Sequence, residues 1–155
     1  MTPQEQILSD EFEQIRFDLI KRYDELGMRA SGDFEKSLEV KQNKLSAELW
    51  GNHYIEQLVN GREPGKFPPI AAIEKWIGDK GISAFDISVS SLAFLIARKI
   101  AREGTEIFKK GGTDLVDSVI TPERIQGIID KVGRFYINEF TLNITNILKE
   151  VAQAA

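Results

Sequence analysis

The chain has 155 residues, with 20 Lys and Arg against 24 Asp and Glu, 42% hydrophobic residues, one histidine and no cysteine. This length suits one domain over residues 1–155 with a core of its own, and the composition is that of a folded chain. The lack of cysteine excludes disulfide scaffolds, thiolate metal sites, iron–sulfur clusters and cysteine nucleophiles together.

Charge is uneven along the chain: the net values are −5 over residues 1–60, +3 over 61–113 and −2 over 114–155. The acidic total is opposite to that of a strongly basic nucleic-acid-binding domain. The most apolar stretch, residues 82–97, contains Asp86 and four serines and is shorter than the ~20 residues of a membrane span. Met1-Thr-Pro-Gln-Glu-Gln has neither the basic nor the apolar part of a leader, so an intracellular chain is expected.

Thr2 as cap, Pro3 in the first turn and apolar residues Ile7, Leu8, Phe12, Ile15, Leu19, Ile20 and Tyr23 predict a helix over about 4–26, ended by Gly27. From Phe34 to Trp50 the period falls to two. Phe34, Lys36, Leu38 and Val40, then Leu45, Ala47 and Leu49, alternate with Glu35, Ser37, Glu39 and Lys41, then Ser46, Glu48 and Trp50, across a Gln42-Asn43-Lys44 turn. This predicts a hairpin that either packs on helices or pairs with strands of other subunits, because two strands alone are marginal.

Asn52 is expected to cap a short helix over 53–59, followed by the turn-rich Asn60-Gly61-Arg62-Glu63-Pro64-Gly65-Lys66-Phe67-Pro68-Pro69. Pro68 and Pro69 pre-set the entry to a helix over 70–79, with Ile70, Ile73, Trp76 and Ile77 as its buried face and Gly78 or Gly81 as its end. A helix over 89–103, apolar on most sides through Leu92, Phe94, Leu95, Ile96 and Ile100, is expected at the centre of the core and stops at Gly104. Residues 115–120 are too short to assign. Thr121-Pro122-Glu123 opens a final helix to about 151, whose apolar residues form more than one stripe and so predict contacts beyond its own domain. The fold class is α+β: a small antiparallel sheet at about 34–50 packed with several helices, with long N- and C-terminal helices.

The inventory offers little chemistry. His53 lacks a second fixed member for a metal site or a triad and reads as an ordinary structural or surface residue. Gly61-Arg-Glu-Pro-Gly65-Lys66-Phe67 has the outline of a phosphate loop, but three residues instead of four separate the glycines and Phe67 replaces the required hydroxyl. The acid pairs Glu11/Glu13 and Asp114/Asp117 read as solvated faces. Only the basic segment Arg98-Lys99, Arg102 and Lys109-Lys110 could meet phosphate, which makes a small nucleic-acid-binding module using residues 98–110 the alternative reading.

The ordered series Tyr54-Ile55-Glu56-Gln57-Leu58-Val59-Asn60-Gly61, Pro64, Phe67-Pro68-Pro69-Ile70, Trp76-Ile77, Lys80-Gly81-Ile82 and Leu92-Ala93-Phe94-Leu95-Ile96-Ala97-Arg98-Lys99-Ile100-Ala101-Arg102-Glu103-Gly104-Thr105 resembles the tail-completion or head-to-tail joining (neck) proteins of tailed bacteriophages and prophages. The resemblance covers about residues 30–108, and the flanking elements agree with that layout. It departs after Thr105, where members often carry a Pro-Phe-Phe-type segment and this chain has Glu106-Ile107-Phe108-Lys109-Lys110.

The resemblance implies a non-enzymatic virion protein, without catalytic residues, cofactor or metal, made in the host cytoplasm and located at the neck or tail junction. Its implied partners are sibling copies in a ring, portal, adaptor or stopper proteins, and tail-tube or tail-terminator proteins; DNA would pass the lumen without specific binding, and no membrane is involved. It makes Tyr54, Gly61, Pro64, Pro68, Pro69, Trp76, Gly81, Arg98, Gly104 and Thr105 structural motif positions. Rings of head-to-tail copies use edge strands and surplus apolar helix faces, so the expected interface comprises Phe34, Leu38, Val40, Leu45 and Leu49 of the sheet with Tyr136, Phe140 and Ile144 of the last helix.

Overall fold

A computed structural model of the protein describes every residue except Leu45, Phe85 and Ala155. The first helix, α1 (Pro3–Glu25), starts at a reciprocal cap: the Thr2 hydroxyl accepts from the Glu5 N–H at 3.3 Å, and the Glu5 carboxylate accepts from the Thr2 N–H at 2.6 Å. Ile15, Leu19 and Tyr23, each four residues from the next, form its buried stripe.

The stretch expected to begin the sheet at Phe34 is helical at first. Residues Asp33–Ser37 form α2, and the hairpin is confined to β1 (Glu39–Gln42) and β2 (Ala47–Trp50), paired antiparallel with Val40 opposite Leu49. The ambiguity has a simple cause: Phe34 and Leu38 are four residues apart, so a two-residue alternation and one helical turn place them on one side equally well. Helical geometry brings the Phe34 ring onto Tyr23, with centroids 4.3 Å apart, and Phe34 and Leu38 are both buried. The hairpin's inner face lies on α1, while outward Lys41 sits 4.5 Å above the Trp50 ring and the Trp50 indole donates to Glu48 at 2.7 Å.

Helix α3 (Ile55–Asn60) begins two residues later than expected and leads through the Gly/Pro loop to α4 (Ile70–Lys80), entered at Pro69 and closed by Gly81. Helix α5 (Val89–Glu103) has the expected limits, but its place differs from expectation. It buries only Ala93 and Ala97, against Ile73 and Ile77 of α4, so α4 and α5 form a helical pair with a small apolar cluster of their own. The two alanines let the helix backbones approach. Phe94 and Leu95 are about half exposed, and Trp76 and Ile70 lie at the surface instead of in the buried face expected for α4.

The main cluster is elsewhere, formed by the α1 stripe with Phe34, Leu38, Leu115 and Val119. Leu115 and Val119 come from residues 114–120, which are neither strand nor helix but a run of turns. A short helix, α6 (Glu106–Lys109), precedes them, and α7 (Pro122–Ala154) closes the chain.

Helix α7 runs antiparallel to α1. Arg124 pairs with Asp18 at 2.8 Å, Lys131 pairs with Glu11, and Ile128 packs on the main cluster. None of the 33 residues of α7 is buried, and residues 136–154 are exposed without interruption.

These burials set a contrast. Phe34→Ala should lower unfolding stability by about 3–5 kcal/mol, whereas Trp76→Ala, 42% exposed, should cost less than about 1 kcal/mol; urea denaturation followed by circular dichroism measures both.

Candidate functional site

Four of the motif residues, Gly61, Pro64, Gly104 and Thr105, meet at a backbone latch between the two apolar clusters. Gly61 ends α3 at φ 76° and ψ −171°, and Gly104 ends α5 at φ 80° and ψ 176°, a conformation open essentially to glycine alone. The strands of chain leaving them run side by side. The Thr105 N–H donates to the Arg62 carbonyl at 2.9 Å, the Arg62 N–H donates to the Thr105 hydroxyl at 2.9 Å, and the Gly65 N–H donates to the Ala101 carbonyl at 2.8 Å.

The approach is too close for side chains. A Cβ on Gly61 would lie 2.3 Å from the Phe108 nitrogen, and one on Gly104 would lie 2.9 Å from the Arg62 carbonyl oxygen and 3.2 Å from Pro64. Thr105 also caps α6, and Thr113 extends the contact by donating to the Leu58 carbonyl at 2.7 Å. Of the other motif positions, Pro68 is buried, Tyr54 packs on the main cluster, and Pro69 and Gly81 bracket α4. Trp76 and Arg98 are exposed and take no part in the latch. The shallow groove of about 550 Å³ beside it is lined by Glu56, Gln57, Arg62, Glu63 and Phe108, of mixed charge.

The basic segment is divided. Arg98, Lys99 and Arg102 lie exposed on α5, but Lys109 donates to Glu103 at 2.8 Å and to Glu106 at 3.1 Å. Those hydrogen bonds raise the Lys109 ammonium above the usual lysine range and hold both glutamates below theirs. Lys109 is therefore committed within the chain. His53 is exposed, with its ring 6.4 Å from that of Tyr54.

The residues expected at an interface divide in the same way. Phe34 and Leu38 are buried within the protomer and are not available to another copy, because α2 turns both inward. Leu49 packs on the main cluster and Val40 is half-buried beside it, while Leu45 lies outside the described residues. Tyr136, Phe140 and Ile144 are exposed, Phe140 by 67%. They belong to a larger surface that includes Ile137, Ile147, Leu148 and Val151. A second, smaller apolar surface missed by the sequence reading joins Phe67 and Phe94, whose rings are 5.9 Å apart, with Leu95; the half-exposed rings could not be told from core residues by periodicity.

No protein-family model matches this chain, and no curated protein or solved structure is significantly similar to it. Among the described residues, no helix is long and apolar enough to cross a membrane.

The latch predicts two graded losses. Gly61→Ala should destabilise the chain by more than about 2 kcal/mol, through strain and the clash with α6, and Thr105→Val by about 1–3 kcal/mol, through an unpaired Arg62 N–H; thermal and urea unfolding read both.

Proposed function

We propose that this chain is a structural, ring-forming subunit of the head-to-tail connector (neck) or tail-completion complex of a tailed phage or prophage, joining portal and capsid to the tail. Its role is architectural, not catalytic. The observation that carries the reading is the distal half of α7, an apolar helix that its own fold leaves uncovered from residue 136 to residue 154. Each large apolar side chain there would gain roughly 1.5–3 kcal/mol on full burial, and in proteins most of a helix's stability comes from packing its apolar face. Such a surface calls for other copies or neighbouring proteins.

The motif residues support the same reading. Gly61, Pro64, Gly104 and Thr105 hold backbones together at the latch. An acidic chain also lets DNA pass a lumen with little attraction to phosphate. The partners follow from the role: sibling copies in the ring, portal, adaptor or stopper proteins on one side, and tail-tube or tail-terminator proteins on the other.

The nucleic-acid reading keeps Arg98, Lys99, Arg102 and Lys110 but loses Lys109 to its glutamates. Sedimentation and electron microscopy of the full chain, alone and with portal and tail partners, separate the two. Annular particles are expected, and Phe140→Asp should shift the assembly to monomers with the fold intact. A stable monomer that binds duplex DNA with a steep salt dependence would favour the other function.

A further inference from the structure

We propose that the apolar seam of α7 from Ile137 to Val151 is closed by the same segment of other copies of this chain, with the helices parallel and in register. The parallel sense rests on the ring-forming reading above, since copies around a rotation axis point the same way along it.

Three observations select a second copy as the occupant. The first is reach. The pairs Asp18–Arg124 and Glu11–Lys131 advance seven residues along each helix in opposite directions, so Pro3, where α1 begins, comes level with Glu139. Beyond that level α1 no longer lies alongside α7.

The second is direction. The part of α7 that meets α1 uses Arg124, Ile128 and Lys131, whereas the distal stripe is Ile137, Phe140, Ile144, Ile147 and Val151. At 100° per residue the two sides are turned by roughly 170° from each other. The distal stripe therefore faces away from the body of its own protomer.

The third is self-complementarity. The distal steps are three, four, three and four residues, the a/d spacing of a coiled-coil seam, with Ile137, Ile144 and Val151 β-branched at every a position and Ile147 at d. Leu148, 63% exposed, flanks the seam at an e position and widens it toward bundles of more than two helices. The only charges from 137 to 154 are Glu139, Lys149 and Glu150, none at a or d, so an identical helix meets no like charge within the seam. The seam is roughly 21 Å long at 1.5 Å per residue.

Because the chain has no cysteine, single thiols report the pairing directly in the full-length protein. Under mild oxidation, Ile137→Cys and Val151→Cys should each cross-link to their own kind, since equivalent a positions lie within disulfide reach only in a parallel, in-register pair. Asn146→Cys, on the outward side, should not cross-link. Ile144→Asp should sediment as a monomer at concentrations where the parent is oligomeric, with its helical circular dichroism retained; if that variant fails to fold, the cysteine pattern still decides.

Cross-linking only when the two thiol variants are mixed would mean antiparallel pairing, overturning both this proposal and the ring-forming reading. No cross-link from either variant in a protein that remains oligomeric would overturn the seam alone. No cross-link in a protein that stays monomeric with its partners supplied would overturn both.

Discussion

The antiparallel seat of α7 on α1 governs the rest of the molecule. Arg124 on Asp18, Lys131 on Glu11 and Ile128 on the main cluster set the register of two helices of unequal length, 23 and 33 residues. The shorter one ends first. The remainder of α7 has to project from the protomer, and it carries apolar side chains into solvent as it does so. The ion pairs hold the register and the apolar contact supplies the attraction, as expected where charges are partly exposed and screened.

The body of the protomer is organised by a second constraint. Two apolar clusters, one around α1, α2 and the turns at 114–120, the other between α4 and α5, are too small to be one core. They are tied where Gly61 and Gly104 let the chain after α3 lie against the chain after α5. Polar links add to this: Lys75 donates to Asp33 at 3.1 Å and Lys80 to the Gly27 carbonyl at 2.9 Å. The glycine, proline and threonine positions of the motif are therefore explained by backbone geometry, and the exposed Trp76 and Arg98 are not.

Two surfaces of different character follow. Distal α7 is long, apolar and nearly free of charge, whereas the outer side of α5 passes from Phe94 and Leu95 to Arg98 and Arg102 along one helix.

The local grammar of the chain was legible without a structure. The Thr2–Pro3 start, the limits of α5, the Pro69 entry and Gly81 exit of α4 and the long final helix all follow from caps, breakers and periodicity, which act over a few residues. So did the surplus apolar side of α7. Depth was not legible: Phe34 and Leu38 were expected at an edge and are buried, while Trp76, Phe94 and Leu95 were expected in the core and face solvent. Periodicity tells which residues share a face but not what that face meets, because burial is settled by partners distant in sequence, such as Tyr23 for Phe34 and Arg62 for Thr105. By itself the sequence determined where helices begin and end and which side chains point together. Only the tertiary structure decided which of those faces the chain can cover with its own residues, because that depends on the lengths and register of elements brought together from opposite ends of the chain.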